Sequence, residues 1–292
     1  MTEITKNFDM LQKQVAEQTV LQGDSLETMQ TMADDYFDVV VTSPPYNIGI
    51  KYASYDDKLD QSEYLQWMGA IFAEVARIMK PQGSFFLNIG NQNKYPWLTM
   101  DILTAARPIF NLQNNIVWAK SLSVGEKSFG HFKPINSPRY LNNNHESVFH
   151  LTKSGTVVVD RLAVGVPFMD KSNIGRFGGT GRPDKRCAGN IWHIPYQTVQ
   201  SKIGKFSHPA AYPVELAERC IRLHGGSDLN VLDPFIGSGT TLLAAKNLGH
   251  RGVGIEMDEG YVNIARKRLG VTKYNAAKDK TIEPYAVAES TA

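Results

Sequence analysis

A short turn in the sequence places two prolines between a serine and a tyrosine. The turn comprises Ser43, Pro44, Pro45 and Tyr46, and it follows residues 37–42, an apolar β-branched run typical of a strand buried in a parallel sheet. Because prolines fix the backbone and lack N–H donors, the carbonyls near Ser43 and Pro44 are expected to face outward as acceptors. An exocyclic amine on a nucleobase has two hydrogens to donate and a ring that could stack on Tyr46. The alternative is an ordinary Pro-Pro turn with an exposed tyrosine.

A second stretch, residues 228–258, has the strand, turn and helix pattern of a nucleotide-binding unit. Gly237 and Gly239 lie in the turn before residues 241–248, which have helical spacing, and they would let a ligand approach the backbone. A second apolar strand ends at Glu256. A nucleotide-binding unit places a carboxylate there to bind the ribose hydroxyls. The pattern predicts an adenosine-containing cofactor.

Two details favour S-adenosylmethionine (SAM) over a dinucleotide. Leu242 replaces the third glycine of the dinucleotide fingerprint, and the sequence has no Gly-Lys-Ser/Thr phosphate loop. Asp233, at the end of the preceding strand, has the wrong charge for a phosphate but suits the ammonium of a methionine moiety. We therefore expect Asp233 and Glu256 to be charged partners of the ligand rather than core groups. An ordinary βαβ unit with a glycine-rich turn is the alternative.

Asp24 follows a short strand predicted at residues 19–22. Close to the cofactor crevice of a doubly wound sheet, its carboxylate could accept a hydrogen bond from an adenine amino group. It could equally cap a helix predicted at residues 26–32, because aspartate is a favoured N-cap residue. The sequence leaves both roles open.

Composition restricts the class of protein. With 292 residues and 42% hydrophobic content, the chain can form one large domain or one domain with an insertion. A net charge of only +2 means that any nucleic-acid surface must be local. Cys187 and Cys220 are too isolated for a disulfide framework or zinc site, so no metal is expected. Neither a membrane-length apolar stretch nor a signal-peptide pattern is present, and the expected compartment is the cytoplasm.

The two motifs together resemble those of the DNA amino-methyltransferases. Because the Ser-Pro-Pro-Tyr motif precedes the Asp-Pro-Phe-Ile-Gly-Ser-Gly-Thr-Thr motif at residues 233–241, the chain resembles the permuted β group of that family. Further matching segments follow in order at residues 80–89, 142–151 and 208–217. The resemblance implies a SAM-dependent methyltransferase fold, a Rossmann-like doubly wound α/β sheet. It also implies direct methyl transfer to an exocyclic nitrogen of a flipped base in double-stranded DNA.

The resemblance also implies roles for particular residues. Ser43 and the Pro44 carbonyl would accept the amine hydrogens, and Pro45 and Tyr46 would complete the catalytic turn. The ring of Tyr46 would stack on the base, and its hydroxyl is expected to be expendable. The residues expected to bind the cofactor are Asp24, Asp233, Phe235, Gly237, Gly239, Thr240, Glu256, Met257, His208 and Ala210.

Residues 153–207 interrupt the α/β alternation, and we interpret them as a small irregular target-recognition insert. The resulting divisions are a catalytic half at 1–152, the insert, a SAM-binding half at 208–270 and a disordered tail at 271–292. DNA contacts are expected at Asn47, Lys127, Lys133, Arg176, Arg182, Lys185 and Arg186. A solvated basic loop is the alternative for the insert.

Periodicity predicts several further elements. Residues 61–79 have apolar side chains at helical spacing and are expected to form core. Residues 114–118 are predicted to form a strand with a packed Trp118, and residues 155–160 are strand-like. Residues 121–140 are expected to form a mobile loop that closes on DNA.

The resemblance favours cytosine N4 as the methylated atom. Enzymes of that specificity more often have serine as the first residue of the motif, as Ser43 is here. They also more often have the sequence Ala-Ala-Tyr-Pro, which is found after His208. Adenine-N6 enzymes more often have aspartate before the prolines, and adenine N6 stays the alternative. Cytosine-C5 methylation is set aside because it needs a thiolate, usually after a proline, and neither cysteine follows one.

Other classes also stay open. One is a non-catalytic DNA-binding or regulatory subunit with a relict SAM pocket, which the intact motifs disfavour. Another is a dinucleotide-dependent oxidoreductase, disfavoured by Leu242 and by the absence of any role for Ser43 and Tyr46. A homodimer and a cognate restriction endonuclease are left open as partners.

Overall fold

The computed structural model describes most of the chain. The described residues are 17–47, 59–90, 92–130, 132, 135–176, 183–195 and 212–271. The strands are β1 (Gln18–Gln22), β2 (Phe37–Thr42), β3 (Met79–Gly90), β4 (Asn111–Ala119), β5 (Ser121–Val124), β6 (Lys127–Gly130), β7 (His145–Thr152), β8 (Ile191–His193), β9 (Asn230–Asp233) and β10 (Arg251–Glu256). The helices are α1 (Ser25–Gln30), α2 (Gln61–Ile78), α3 (Leu98–Ala106), α4 (Asn173–Arg176), α5 (Val214–His224), α6 (Thr240–Asn247) and α7 (Glu259–Leu269).

Eight strands form one mixed sheet in the order β1-β10-β9-β2-β3-β7-β4-β8. The first five are parallel, β7 runs antiparallel to both β3 and β4, and β8 is parallel to β4. A separate hairpin pairs β5 with β6. The parallel half brings the carboxyl ends of β2, β9 and β10 to one edge, where ligands bind in open α/β sheets.

Two apolar clusters cover the opposite faces of this sheet. Val40 belongs to the cluster that packs against α1, α2 and α3, whereas Val39 and Val41 belong to the cluster beneath α5 and α6. This alternation follows from the two-residue period of a strand. Helices on both faces of a largely parallel sheet confirm the predicted doubly wound α/β architecture.

The long helix α2 shows why the periodicity was informative. Asp60 caps its first turn by accepting a hydrogen bond from Ser62 N at 2.8 Å. Six of its apolar residues are buried, namely Tyr64, Met68, Ile71, Phe72, Val75 and Ile78. The predicted core helix is therefore confirmed.

Other expectations need correction. Residues 121–130, expected to be loop, form the β5–β6 hairpin, whereas residues 155–160 form no strand. Trp118 is packed as predicted, with 1% of its surface exposed, and its indole N–H donates to the Ile194 carbonyl. β8 lies within the expected insert yet pairs with β4, so this part of the insert completes the main sheet.

Several expectations fall outside the part of the chain that the structure describes. They concern Lys133, Arg182, His208, Ala210 and residues 272–292 of the expected tail. None of the described helices is both long enough and apolar enough to span a membrane.

Candidate active site

The two predicted motifs meet at the carboxyl edge of the sheet. β2 and β9 are adjacent and parallel, with Val40 opposite Leu232, so Thr42 and Asp233 end neighbouring strands. Thr42 Oγ1 donates a 2.6 Å hydrogen bond to Asp233 Oδ1. This bond joins the strand that carries the Ser-Pro-Pro-Tyr turn to the strand that carries the glycine-rich turn.

Asp233 is a core group, contrary to expectation. Only 1% of its surface is exposed, and burial raises the pKa of its carboxyl group. In addition to Thr42, its donors are Thr241 Oγ1 at 2.5 Å, Phe235 N at 3.0 Å and Tyr212 Oη at 3.2 Å. A buried carboxylate needs such donors because burial removes its hydration. Asp233 therefore acts first as a clamp between strands, and its predicted contact with SAM stays a prediction.

The glycine-rich turn owes its glycines partly to backbone shape. Gly237 and Gly239 have φ values of 51° and 87°, in the left-handed region that favours glycine. A Cβ on Gly239 would lie 3.3 Å from Ala265 Cβ of α7. Gly239 therefore permits close helix packing, and the following Thr240 begins α6.

Glu256 closes the turn from the neighbouring strand. Its Oε2 accepts from Gly237 N at 3.0 Å, and its Oε1 accepts from Asp258 N at 2.9 Å. Burial raises the pKa of this half-buried carboxyl group. A carboxylate has about four acceptor positions, so Glu256 retains capacity for a ligand hydroxyl. Met257 beside it is 38% exposed.

Asp24 lies next to Glu256 and caps a helix. Gly23 N donates to the Glu256 carbonyl at 3.0 Å, which brings the two acidic residues to neighbouring strand ends. The Asp24 carboxylate accepts from Leu26 N at 2.8 Å and Glu27 N at 3.0 Å, at the start of α1. The helix-capping role is confirmed, and the adenine contact stays a prediction.

Phe235 is an apolar residue at the entry to the glycine-rich turn. It is partly buried and lies 5.5 Å from the ring of Trp67, centroid to centroid, with the planes tilted by 60°. Its backbone N–H is one of the Asp233 donors. The clamp therefore also fixes the residue that enters the glycine-rich turn.

The catalytic turn is held by hydrogen bonds on both sides. Ser43 Oγ lies 2.7 Å from Tyr46 Oη, and Tyr64 of α2 donates to the Pro45 carbonyl at 2.7 Å. Pro44 is buried, whereas Ser43, Pro45 and Tyr46 are partly exposed. Burial, reinforced by the charge of Glu146, raises the pKa of the Tyr46 hydroxyl well above its usual value. The Tyr46 hydroxyl therefore stays protonated and can donate or accept in its hydrogen bond with Ser43.

Sequence reasoning missed a polar network behind this turn. Asn88 of β3 lies 3.3 Å from both Ser43 Oγ and Tyr46 Oη, and its Nδ2 donates to Glu146 Oε2 at 2.6 Å. Glu146 in turn forms an ion pair with Lys120. The available signal was a single asparagine within an apolar run, residues 85–89, that ends close to the catalytic edge.

Asn47, expected to contact DNA, is buried. Only 7% of its surface is exposed, and its Nδ2 donates to the Leu59 carbonyl at 2.8 Å. Its φ of 55° lies in the left-handed region, which asparagine tolerates better than most residues. Asn47 therefore ends the catalytic turn and is not positioned as a surface contact.

The other described DNA candidates are exposed but separate along the chain. Lys127 begins β6, and Arg176 ends α4. Lys185 and Arg186 lie near an isolated bridge that pairs Arg186 with Val166. All four side chains are accessible, so they stay candidates for phosphate contacts. Among the described residues, no group of three or more His, Cys, Asp or Glu side chains could hold a metal ion.

A model of the N6- and N4-methylating family, described as DNA methylase, matches residues 37–267. The chain belongs to this DNA methylase family. The match includes both the Ser-Pro-Pro-Tyr turn and the clamp residue Asp233. The family consists of SAM-dependent amino-methyltransferases, which confirms SAM as the expected cofactor.

The names of similar proteins specify either no base, adenine or cytosine N4. Type II methyltransferase M.ScaI of Streptomyces caespitosus is 34% identical over 260 residues, 85% of this chain and 79% of that protein. DNA adenine methyltransferase YhdJ of Escherichia coli (strain K12) is 25% identical over 264 residues, 89% of this chain and 85% of that protein. Among solved structures, PvuII DNA methyltransferase (cytosine-N4-specific) has a TM-score of 0.64 at 22% identity, covering 92% of this chain and 91% of that chain. The latter likeness concerns the fold.

Proposed function

We propose that this methylase transfers a methyl group from SAM to the exocyclic N4 of cytosine in double-stranded DNA. Ser43 as the first residue of its motif favours cytosine N4 over adenine N6. The observation that carries the methyl-transfer reaction itself is the Thr42–Asp233 hydrogen bond of 2.6 Å between the two strand ends. This hydrogen bond connects two turns. The Ser-Pro-Pro-Tyr turn has the acceptors that an amine needs, and the glycine-rich turn would hold the methyl donor. Direct transfer between two bound groups depends on such fixed relative positions.

The residues around the glycine-rich turn fit SAM. Glu256 retains acceptor capacity for the ribose hydroxyls, and Asp24 lies beside it on the neighbouring strand end. Phe235 supplies an apolar surface, and Gly237 keeps the turn free of a side chain. When bound, SAM supplies an electrophilic methyl group on a sulfonium.

The catalytic turn would prepare the nitrogen for attack. Ser43 Oγ and the Pro44 carbonyl would accept the two amine hydrogens and keep the nitrogen lone pair directed at the methyl carbon. Tyr46, which is partly exposed, would stack on the flipped base. As the nitrogen–carbon bond formed, the carbon–sulfur bond would break with its electron pair going to sulfur, and the nitrogen would lose one proton to solvent.

DNA binding would use the exposed basic residues. Lys127, Arg176, Lys185 and Arg186 are accessible, and residues 153–207 stay our candidate for target recognition. Phosphate contacts from such residues would position the duplex, and contacts with base edges would select the sequence.

Incubation with labelled SAM and duplex DNA, followed by nucleoside analysis, tests the proposal. We expect label in DNA as N4-methylcytosine. Label confined to N6-methyladenine would overturn the choice of base. A protein that binds SAM and DNA but transfers no label would instead be the non-catalytic subunit considered above.

Adenine N6 is the second candidate because a relative has that specificity in its name. YhdJ is called a DNA adenine methyltransferase and aligns with 89% of this chain. Both reactions need the same pair of acceptors for an exocyclic amine, so the catalytic turn fits either base. Duplexes whose methylated strand contains cytosine without adenine, or adenine without cytosine, would separate the two candidates.

Partners other than DNA stay predictions. A restriction endonuclease is supported by the Type II designation of relatives such as M.ScaI. Resistance of DNA from producing cells to a co-encoded nuclease would test that partner. Sedimentation velocity would test the homodimer.

A further inference from the structure

Asn88 occupies an unusual position behind the catalytic turn. It lies near the end of β3, is 3% exposed, and its Nδ2 is within hydrogen-bond distance of Ser43 Oγ, Tyr46 Oη and Glu146 Oε2. Its Oδ1 is buried and has no hydrogen-bond partner among the described residues. Leaving a buried acceptor unpaired is unfavourable, so some stronger interaction must hold the amide in this orientation.

The ion pair between Glu146 and Lys120 supplies that interaction. Glu146 lies on β7, opposite Gly90 of β3. The Glu146 side chain is only 14% exposed, and the Lys120 side chain is 25% exposed. Glu146 Oε2 accepts from Asn88 Nδ2 at 2.6 Å. A flipped Asn88 amide would bring its oxygen against this carboxylate, and the repulsion between the two acceptors opposes the flip.

Counting hydrogens shows which direction of the bond between Ser43 and Tyr46 leaves Ser43 a lone pair for a substrate. The Asn88 amide has two hydrogens; one goes to Glu146, and the other is left for the serine and tyrosine oxygens at 3.3 Å. A serine oxygen accepts two hydrogens. If it accepted from both Asn88 and Tyr46, it would have no lone pair for a substrate amine.

The other direction leaves the serine competent. Ser43 then donates to Tyr46 Oη at 2.7 Å, and Tyr46 Oη donates to the backbone carbonyl of Asn88 at 3.3 Å. Ser43 Oγ accepts from Asn88 and keeps one lone pair for the substrate. Tyr46 can serve as the next donor because its hydroxyl stays protonated.

We propose that Asn88, held by Glu146 and Lys120, is a positioning residue that orients the Ser43 hydroxyl so that its free lone pair faces the target amine. The inference rests on the proposed amino-methylation. It adds three residues to the machinery of the reaction, none of which touches the reacting atoms.

Asn88→Asp tests the proposal through its pH profile. Near pH 8 the new carboxylate cannot donate to Ser43 and faces Glu146, so we expect the single-turnover methylation rate to fall by about 10- to 100-fold, the scale of misplaced catalytic groups. The loss should shrink as the pH falls, because a protonated Asp side chain again has a hydrogen to donate. SAM and DNA affinities should stay within about twofold of the parent, a small change on this scale.

Glu146→Gln provides a second test, with Asp38→Asn as its matched control. Asp38 pairs with Lys80 at the opposite end of β2, and its side chain is 16% exposed, close to the 14% of Glu146. We expect Glu146→Gln to lower the single-turnover rate by about 10-fold and Asp38→Asn to leave it unchanged. Should Asn88→Asp fail to fold, this pair carries the test.

Three results would count against the inference. Parental rates in both Asn88→Asp and Glu146→Gln would show that the network does not orient Ser43. A loss that is equal at every pH and accompanied by weaker SAM binding would indicate a purely structural role. A parental protein that transfers no methyl group to DNA would overturn the proposed function, and the inference with it.

Discussion

At the scale of single residues, we expect Ser43 and Tyr46 to have different roles in the Ser-Pro-Pro-Tyr turn. We expect Ser43→Ala to lower the single-turnover rate by about 10²–10³, the effect of losing one well-placed hydrogen bond in a transition state.

The sequence suggested that the Tyr46 hydroxyl was expendable, yet it lies 2.7 Å from Ser43 Oγ. Tyr46→Phe should therefore lower the rate by about 10-fold. Rapid-quench measurements with both variants would check this, and a Tyr46→Phe rate equal to that of the parent would show that the hydroxyl is expendable after all.

Glu256 is the residue through which cofactor binding is most directly tested. Glu256→Gln keeps the shape but removes the charge that would strengthen hydrogen bonds to ribose hydroxyls, so SAM should bind about 10-fold more weakly. Glu259→Gln, an exposed change three residues away in α7, serves as the control. Calorimetry showing equal SAM affinity in the two variants would remove Glu256 from the cofactor site.

At the scale of elements, we expect Asp233 to contribute to the free energy of unfolding. Asp233→Ala would leave the hydroxyls of Thr42 and Thr241 and the N–H of Phe235 without their shared acceptor. Unsatisfied buried donors cost about 1–3 kcal/mol each, with partial relaxation. We expect the free energy of unfolding to fall by about 3 kcal/mol. Urea denaturation would measure it, and a change below about 1 kcal/mol would mean that the clamp is unimportant.

A buried histidine links three other elements and makes stability depend on pH. His150 of β7 lies between Asn114 of β4 and Ser84 of β3, and Ser84 also contacts His224 of α5. Burial, with a smaller contribution from the charge of His224, lowers the pKa of His150 to about 4. The unfolded chain therefore takes up this proton first. The stabilisation is complete above about pH 6.5 and is lost as the pH falls through about 4.

Lowering the pH from 7.5 to 4.5 should remove about 2–3 kcal/mol through this residue. The measurement is the free energy of unfolding of the parent and of His150→Gln at both pH values. The difference between the two free energies of unfolding should be smaller by that amount at pH 4.5 than at pH 7.5. Between pH 7.5 and 8.5, where histidine is already neutral, the difference should stay constant. An unchanged difference at pH 4.5 would contradict the pKa assignment.

The sequence predicted elements well where periodicity and local chemistry agree. Helix α2 has a capping aspartate and apolar residues at helical spacing, and both act within one segment. The hairpin β5–β6 was missed because its four-residue strands are short and largely exposed, which leaves little apolar alternation. The contact between Asn88 and Glu146 depends on the register between β3 and β7, across 58 residues of sequence. No local pattern specifies that register.

At the scale of the whole molecule, a net charge of +2 means that DNA affinity must come from a few local basic groups. We expect Lys185→Ala with Arg186→Ala to reduce the log–log salt slope of DNA binding by about 0.9 for each phosphate that the variant no longer neutralises. SAM binding should not change. Lys127→Ala on the β6 strand tests the other exposed candidate in the same assay. An unchanged slope in the double variant together with a reduced slope in Lys127→Ala would move the DNA surface from the insert to the hairpin.

We propose above that the Ser-Pro-Pro-Tyr turn methylates an exocyclic amine of DNA with SAM as donor. The most direct measurement is mass spectrometry of nucleosides from duplex DNA incubated with SAM and either the parent protein or Ser43→Ala. We expect N4-methylcytosine with the parent and little or none, over the same short incubation, with Ser43→Ala. Unmodified DNA from a folded parent protein that binds both SAM and DNA would contradict it, as would equal methylation by the two proteins.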